Sequence, residues 1–332
     1  MTFDFSKSPR FALIRQELRQ NLLKDVSGAV FSTLGAFVLE QVLPGQKVAV
    51  AVGSRGIDRI AEVVALLVTF LKNKGFEPVI VPAMGSHGGA SKEGQKSVLS
   101  KLGITESSAG APIEGDMSVT VAGVLDSGVK IYMGKTACDA DWIIPVNRVK
   151  PHTKFNAPVE SGLCKMLTIG LGKAEGAGEF HRQAIFHGFK IIEEAASFLL
   201  RSKKVLFGLA LVEDGSGKLA HVEALHPSGL IEREKELLKD AYAYMAKIPV
   251  DHVDVLIVDQ IGKDISGIGM DSNITGRHRD IVGDFFKYPH AKRIFVRELS
   301  SGSDGNANGI GLADVTTSRL VEQMDMAKTR IN

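Results

Sequence analysis

Short apolar runs alternate with longer amphipathic segments along most of the chain. The first run is Lys47–Val52, which is followed by a helical pattern from Asp58 to about Lys74 and by a second run at Glu77–Val81. A strand, a helix and a strand in this order predict two parallel strands joined by a right-handed crossover. Further runs of strand character lie at Trp142–Val146, Val205–Val212 and Leu219–Ala224. The pattern therefore predicts an α/β fold with a largely parallel sheet.

Helical periodicity accounts for much of the remaining chain. We expect residues 1–46 to be mostly helical, Gly178–Leu200 to form one long helix, and Pro227–Lys247 to form a charged amphipathic helix. Two more strands are predicted nearer the C-terminus, at Val253–Val258 and Lys292–Val296.

The length suggests more than one domain. A chain of 332 residues, 44% of them hydrophobic, suits about two cores. We expect an N-terminal α/β domain carrying the cofactor-binding residues over residues 1–225, a helical connector over 226–249, and a smaller C-terminal α/β unit with a final helix over 250–332. The predicted fold class is thus two α/β domains with largely parallel sheets and an active site in the cleft between them.

Composition and charge exclude several classes of protein. The formal net charge is only +2, so there is no electrostatic case for a nucleic-acid partner. The N-terminus lacks the apolar core of a signal peptide, and the longest apolar run, Val63–Leu71, is too short to cross a bilayer. Two cysteines make neither a disulfide framework nor a zinc site. We therefore expect a cytoplasmic protein with no membrane partner.

Polar residues gather where the predicted strands end. Arg55 follows the first strand, His87 lies in a glycine-rich loop after the second, and Pro151-His152 follows the third. The carboxyl ends of parallel strands meet at one edge of a sheet, where α/β proteins bind ligands. Cations near His152 are supplied by Arg148, Lys150 and Lys154. The sequence therefore predicts a site for an anion at this edge.

The same edge offers groups for proton transfer. Two neutral imidazoles that face each other across a pocket, His87 and His152, could each take a proton at pH 7. An enzyme that works on either enantiomer of a substrate needs two such groups. Arg55 could hold a carboxylate as a bidentate fork.

Lys165 is a candidate for covalent chemistry. It falls in the mostly apolar segment Leu163–Leu171, beside Cys164. A lysine in apolar surroundings has a lowered pKa and can become a nucleophile or an attachment point. On residue types alone, an ordinary lysine whose amine reaches water stays an open alternative.

Six motifs, taken in chain order, resemble those of the lactate racemase family, whose members use a nickel-pincer nucleotide made from a pyridinium dithiocarboxylate mononucleotide. That family has an arginine loop, a G-[ST]-H loop, a P-H loop, a lysine in a glycine-flanked apolar segment, a histidine about sixteen residues further on, and a Gln-x-x-Lys pair. This chain supplies Arg55, Gly85-Ser86-His87, Pro151-His152, Lys165, His181 and Gln260/Lys263. The resemblance covers about Lys47 to Asp264, which is most of the chain.

The resemblance implies how the cofactor would be held. Lys165 would carry the nickel-pincer nucleotide (pyridinium-3,5-bisthiocarboxylic acid mononucleotide nickel complex) as a thioamide, with Arg55 beside it. His181 would be the protein ligand to nickel, and imidazole suits that metal. His187 competes for this role; we favour His181 on its spacing from Lys165.

The resemblance also implies the reaction. His87 and His152 would be the acid/base residues, and the substrate would be held by Arg55, Gln260 and Lys263. The function implied is that of an isomerase, a racemase or epimerase of a small anionic 2-hydroxy acid by reversible hydride transfer to the lysine-tethered cofactor. Enzymes of cofactor biosynthesis would be needed as partners for loading.

Three departures from the family pattern bear on the substrate. The arginine loop reads Gly53-Ser54-Arg55-Gly56-Ile57 and lacks the family's aspartates, Gly88 replaces the arginine after the first histidine, and Cys164 replaces the arginine before the lysine. A larger 2-hydroxy acid, such as a sugar acid, is therefore at least as much to be expected as lactate.

Two other functions fit the residues. One is a cofactor-free hydrolase or lyase that uses His87 and His152 as acid and base on an anionic substrate. The other is a non-catalytic protein whose basic pocket binds an anion. Substituting Lys165 separates the three, because only the first function needs that residue for attachment.

Overall fold

The computed structural model describes residues 12–37, 43–279 and 288–330, together with the backbone of 285–286. Its strands are β1 (Lys47–Val52), β2 (Glu77–Pro82), β3 (Val119–Val124), β4 (Lys130–Gly134), β5 (Trp142–Arg148), β6 (Gly208–Glu213), β7 (Leu219–Leu225), β8 (His252–Ile261), β9 (Arg277–His278), β10 (Phe285–Phe286), β11 (His290–Leu299) and β12 (Val315–Thr316).

Helices connect most of these strands. They are α1 (Val26–Gly35), α2 (Ile60–Asn73), α3 (Lys92–Lys101), α4 (Glu106–Ala109), α5 (Lys135–Asp139), α6 (Leu163–Lys165), α7 (Lys173–His187), α8 (Ile191–Ser202), α9 (Leu230–Tyr244), α10 (Ser272–Thr275), α11 (Ser318–Gln323) and α12 (Met326–Arg330). A π-helical turn, Met166–Gly170, follows α6 directly. Within the ranges just given, no helix is long and apolar enough to cross a membrane.

The central sheet has five strands in the order β2-β1-β5-β6-β7. The first four are parallel, and β7 returns antiparallel to β6. The α/β fold with a largely parallel sheet is therefore confirmed. Strands β3 and β4 form a separate antiparallel ribbon.

Strand register explains why distant residues meet. Val52 at the end of β1 pairs with Pro82 at the end of β2 on one side and with Val146 in β5 on the other. The three loops that leave these strands therefore start side by side at one edge of the sheet. This edge is the place at which α/β folds bind ligands.

Two apolar cores sandwich the sheet. In β1, Ala49 and Ala51 face the core that includes the segment around Lys165, whereas Val48 and Val50 face the core built on α1 and α2. Successive side chains of a strand point to opposite faces, so a strand covered on both sides is apolar throughout. This burial gives the strand exits a rigid base.

A second, smaller sheet lies in the C-terminal part of the chain. Its order is β12-β11-β8, all parallel, and it has its own core around Ile261, Ile294 and Val296. The residue limits of the proposed domains stay a prediction.

Two of the helical predictions fail in part. Residues 1–11 and 38–42 of the predicted helical segment 1–46 lie outside the described residues, and α1 is the helix found in the rest of it. Residues 12–24 have no regular structure; Leu13 is fully exposed, and the segment runs over the surface with Gln16 donating to the carbonyl of Lys247. The expected helix Gly178–Leu200 is two helices, α7 and α8. Gly188 ends α7 with a φ of +67°, a conformation that glycine adopts without strain.

Candidate active site

Buried side chains fix the loop that carries His87. Lys173, which is fully buried, donates from Nζ to the carbonyl of Pro82 (2.7 Å) and to Oε1 of Gln95 (3.2 Å). Gln95 in turn donates from Nε2 to the carbonyl of Gly85 (2.8 Å) and to that of His87 (3.3 Å). The loop backbone is thus held from beneath by α3 and α7.

The imidazole of His87 lies against the arginine loop. Its Nδ1 shares a hydrogen bond with Oγ of Ser54, in which either atom can be the donor. Although the ring keeps an open edge, desolvation in the crowded cleft and, after it, the charges of Arg55, Lys165 and Lys263 together lower the pKa of His87 to about 4. His87 is therefore neutral at pH 7.

Neighbouring residues contact both the ring and the backbone of His152. Its Nδ1 accepts a hydrogen bond from the backbone N–H of Lys154 (3.1 Å), and its own backbone N–H donates to Oε2 of Glu160 (2.5 Å). The ring stacks on Phe155 with centroids 4.1 Å apart. Tyr242 of α9 donates to the other carboxylate oxygen of Glu160 (3.0 Å). The loop orientation is therefore fixed from α9 as well as from the sheet.

Burial and nearby charge keep His152 neutral. Desolvation is the main cause that holds its pKa well below the usual value, and the cations Lys165, Lys154, Lys150 and Arg55 add to it. Both candidate acid/base residues are thus uncharged at neutral pH. They share Lys165 and Arg55 as neighbours, so the structure brings the predicted pair to one cleft.

A buried carboxylate holds the backbone beneath Lys165. Oε2 of Glu234 in α9 accepts the backbone N–H groups of Leu163 (2.7 Å) and Cys164 (3.0 Å) at the start of α6. Burial raises the pKa of Glu234 to about 7, although these two N–H groups act in the opposite direction. The π-helical turn follows immediately, and such turns are frequent at functional sites.

The amine of Lys165 has an unusually low pKa for a lysine. It lies 5.6 Å from the ring centroid of Phe155, the same ring on which His152 stacks. Desolvation, followed by the charges of Arg55 and Lys154, lowers the pKa of Lys165 to about 7. A substantial fraction of these amines is therefore neutral at pH 7, and the side chain is only half-buried. Lys165 is therefore both nucleophilic and within reach of a ligand.

His181 faces the same cleft from α7. Its ring is exposed, and desolvation together with Lys165 and Lys154 lowers its pKa. His187, the competing candidate, is the last residue of the helix. Among the described residues no group of three or more His, Cys, Asp or Glu side chains is placed to hold a metal ion. A nickel ion at His181 would therefore need its other ligands from a bound group.

Arg55 and Lys263 lie where the two sheets approach each other. Lys263 follows β8, and its pKa is lowered by desolvation, by Arg55 and by Lys154. A Cβ built on Gly267, four residues further on, would lie 2.9 Å from Nη2 of Arg55, so the guanidinium packs against the C-terminal part of the chain. Gln260, the other predicted substrate residue, is exposed in β8 and makes no side-chain hydrogen bond to another described residue.

The short helix α10 also crosses to the N-terminal side. Oγ of Ser272 donates to the carbonyl of Thr153, and Nδ2 of Asn273 donates to the carbonyl of His152 (3.1 Å). Desolvation is the main cause that lowers the pKa of Lys150, and the charge of Asp271 acts in the opposite direction. We call these contacts of Asp271, Ser272 and Asn273 the α10 clasp. The clasp joins the C-terminal part of the chain to the loop of one predicted acid/base residue.

Arg148 ends β5 and forms an ion pair with Glu213. Its charge also lowers the pKa of Lys150, so this cation lies near the predicted anion site with its own charge already paired. The sequence did not reveal several supporting residues, namely Ser54, Gln95, Phe155, Glu160, Lys173, Glu234 and Asn273. Ser54 and Phe155 had a signal in their closeness to Arg55 and His152, whereas the others come from distant segments.

The backbone explains one departure from the family pattern. Gly88 has a φ of +67°, and a Cβ built there would lie 2.6 Å from the backbone carbon of Gly94. Any side chain at this position would clash with the backbone of α3. The loop therefore has no room for the arginine found at this place in the lactate racemase family.

Comparisons with known proteins agree on the fold. No protein-family model matches the chain, and no curated protein matches its sequence. A structural-genomics crystal structure of a protein from Thermotoga maritima matches with a TM-score of 0.59 at 16% identity, over 85% of this chain and 72% of that one. The lactate racemase apoprotein from Thermoanaerobacterium thermosaccharolyticum matches with a TM-score of 0.53 at 19% identity. The chain is similar in fold to lactate racemase.

The likeness extends to the fold alone, because both identities are low. It covers 75% of this chain, and the chain spans 63% of the length of the lactate racemase structure. The racemase-like fold places two neutral histidines, a partly neutral lysine and several cations at one edge of the sheet. Such a site can bind an anion, transfer protons and form a covalent bond through Lys165.

Proposed function

We propose that this protein is a racemase or epimerase of a 2-hydroxy acid, with a nickel-pincer nucleotide attached to Lys165. The observation that carries the proposal is the amine of Lys165, which has a pKa of about 7 and shares one cleft with His87, His152 and Arg55. An ordinary lysine, with a pKa near 10.4, would be almost wholly protonated at pH 7 and would not attack an acyl group.

The residues present fit such a group. Lys165 offers a partly neutral amine for the thioamide bond, and His181 offers an imidazole on the same side of the cleft. If the pincer supplied the remaining ligands, His181 would be enough as the protein ligand to nickel. The chemistry that this cofactor supplies when bound is the reversible acceptance of a hydride.

The chain's own residues bind and orient the substrate. Arg55 can hold a carboxylate through two parallel N–H···O bonds, and Lys263 adds a second positive charge from the other side of the cleft. The cations of the cleft lower one another's pKa values, so a bound anion relieves their mutual repulsion. His87 and His152 are neutral and can exchange a proton with the substrate hydroxyl.

The substrate that we favour is larger than lactate. Gly88 stands where the family has an arginine, and the arginine loop carries no aspartate. Without those charges a small hydroxy acid would be held less tightly, whereas a longer 2-hydroxy acid, such as a sugar acid, can make further contacts of its own. Assays with both enantiomers of lactate and of sugar acids, read by chiral chromatography, test this choice.

A cofactor-free acid/base enzyme is the second candidate. The hydrogen bond between Ser54 and His87 favours it, because a hydroxyl beside a neutral imidazole is the arrangement of an activated nucleophile. Such a hydrolase or lyase would need Lys165 only for its charge.

Covalent loading of Lys165 tests the proposal directly. The protein would be purified from cells that also produce the nickel-pincer biosynthetic enzymes and a lactate racemase as a positive control for loading. We expect an adduct on the peptide that contains Lys165, together with nickel, and its loss in Lys165→Ala and in the charge-preserving Lys165→Arg. An unmodified Lys165 in cells that load the control, or racemisation retained in Lys165→Ala, would overturn the proposal.

A further inference from the structure

The edges of the two sheets are protected to different degrees. In the five-stranded sheet, the N–H of Ile80 in edge strand β2 donates to the carbonyl of Pro112 (2.9 Å), in a segment that runs alongside. At the opposite edge, the carbonyl of Leu219 in β7 accepts the N–H of Leu23 (2.8 Å), and α1 packs against the same strand. Both edges are thus covered by other parts of the chain, which prevents pairing with a second molecule.

The outer edge of β8 has no such cover. β8 pairs with β11 on one side, and no other segment among the described residues forms backbone hydrogen bonds along its other side. The strand is ten residues long, keeps an unbroken register with β11, and contains neither proline nor lysine. Edge strands that must stay unpaired are short, bulged, or interrupted by these residues. The N–H and C=O groups on the outer side of β8 are therefore free to pair with another strand.

The two acidic residues of β8 are paired within their own chain. Asp254 forms an ion pair with Lys292, and Asp259 forms one with Arg297, both on β11. Their carboxylates therefore reach toward β11 and away from the open edge. The middle of this edge strand is the apolar run 255–258. The edge thus lacks the outward charges that keep strands of separate molecules apart.

We propose that β8 is a dimerisation surface, on which the β8 strands of two copies of this chain pair antiparallel across a two-fold axis. The pairing joins two three-stranded sheets into one of six strands. An axis perpendicular to the sheet keeps the same face of both strands on one side. Centring that axis at Leu256 sets Val255 directly opposite the partner subunit's Ile257 and opposes no two charges of like sign. Moving the strands by two residues in one direction would set Asp259 against the partner subunit's Asp251, and like charges directly opposite are destabilising.

A second copy of the chain complements this edge. Val255 and Ile257 are 54% and 59% exposed, and in the dimer each gains the other as an apolar cross-strand neighbour. The pairing is at the edge, so the outer face of the sheet stays in contact with water. Strand pairing covers less area than the roughly 800 Å² per partner of a standard interface, so we expect a dissociation constant in the micromolar range. The interface does not depend on the reaction in the cleft, so the two proposals can fail separately.

Sedimentation equilibrium of the full chain tests the interface. From submicromolar to submillimolar protein we expect a shift from a monomer of 35.6 kDa to a dimer. Ile257→Lys places two like charges beside the axis, one from each copy, and should raise the dissociation constant by roughly tenfold or more. Because Ile257 is exposed in the single chain, this variant should keep the circular dichroism spectrum and the thermal unfolding midpoint of the monomer.

Val315→Lys is the matched control. Val315 is 55% exposed and lies on the same sheet face, in register with Phe295 and Ile257, but at the β12 edge. This variant should dimerise like the wild type. A monomer at every concentration or a dimer unaffected by Ile257→Lys would overturn the inference. Dissociation by Val315→Lys would also overturn it, because the copies would then pack through the face of the sheet.

Crosslinking gives a second readout, which tests the register directly. An axis at Leu256 makes the two copies of residue 255 diagonal neighbours, about 7–8 Å apart. A short bis-maleimide should therefore join Val255→Cys into a covalent dimer, detected on a denaturing gel. The wild type, in which Cys138 is partly exposed and Cys164 is buried, and Val315→Cys should stay monomeric on the same gel. Equal yields from Val255→Cys and Val315→Cys, or no covalent dimer from Val255→Cys, would contradict pairing along β8.

Discussion

The two sheets that meet at the cleft differ sharply in burial. In β1 every residue from Val48 to Val52 is buried, whereas Ile261 is the one buried position of β8. The five-stranded sheet carries Arg55 and the two histidines at its edge, and the three-stranded sheet carries Gln260 and Lys263. The predicted acid/base histidines and Arg55 thus stand on a rigid base, whereas Gln260 and Lys263, the other predicted substrate-holding residues, stand on a more open one.

This difference indicates where the molecule can vary. Catalytic side chains must be held to within about half an ångström, which needs locked rotamers and packed neighbours. Groups that hold the far end of a substrate can shift when the substrate changes. We therefore expect the deeply buried side to determine the chemistry and the exposed side to tune the choice of substrate.

The largest contrast should appear in amine reactivity. With a pKa of about 7, Lys165 should have a substantial neutral fraction at pH 7, compared with roughly one in a few thousand for a lysine of ordinary pKa. Lys263, in its more open setting, should titrate at a higher pH than Lys165. Trace acetylation of the apoprotein as a function of pH, quantified by mass spectrometry, should give a midpoint near pH 7 for Lys165. A midpoint near pH 10 would contradict the described environment of this amine.

The second-largest contrast should appear when a predicted substrate-binding residue is substituted on each of the two sheets. Arg55→Ala should lower kcat/KM by about 100-fold, since bonds to a charged group contribute about 1.5–3 kcal/mol each. Gln260→Ala, on the exposed sheet, should raise KM by only about fivefold. Steady-state kinetics of the loaded enzyme measures both effects. Arg55→Lys is the control, because it keeps the positive charge but loses the two parallel N–H donors of the guanidinium. A Gln260→Ala effect as large as that of Arg55→Ala would remove the distinction.

Matched valine truncations test the burial itself. Val50 is fully buried in β1, and Val255 in β8 is 54% exposed. Val50→Ala should lower the free energy of unfolding by about 2 kcal/mol, and Val255→Ala should change it by less than about 0.5 kcal/mol. Urea denaturation of both variants measures the difference. Comparable losses of unfolding free energy in the two variants would mean that the exposed face of β8 is covered by another surface in solution.

The α10 clasp should give the smallest effect, because it links the two sides without touching the substrate. Asn273→Ala removes one donor to the carbonyl of His152 and should lower kcat by roughly fivefold, from about 1 kcal/mol. Asn273→Asp keeps the size but loses the donor and should behave alike. Wild-type kinetics in both variants would show that the clasp does not position His152.

Much of the fold and part of the site could be predicted from the sequence. Strand exits are local signals, since an apolar run followed by Arg55 or His87 is visible without any tertiary information. Residues that support the site from afar gave no signal. Glu234 acts on Leu163 across 71 positions, and Asn273 acts on His152 across 121. In the sequence both look like ordinary polar residues of helices.

Local backbone effects explain the other failures. Gly188 carries a positive φ that ends α7 inside a continuous helical periodicity, and the pattern of side chains alone does not reveal it. The sequence also did not reveal the ion pair of Arg148. Its partner Glu213 lies 65 positions away, on the strand next to β5.

Cys164 has a consequence for selective chemistry at its neighbour. Its thiol is fully buried, and burial together with the charge of Glu234 raises its pKa well above the usual value. Thiolates, not thiols, attack electrophiles, so this sulfur is chemically silent at neutral pH. Of these two neighbours, only Lys165 would therefore react with a thioester or thioacid brought to α6, and the attachment that we propose would occur at nitrogen without a competing exchange at sulfur.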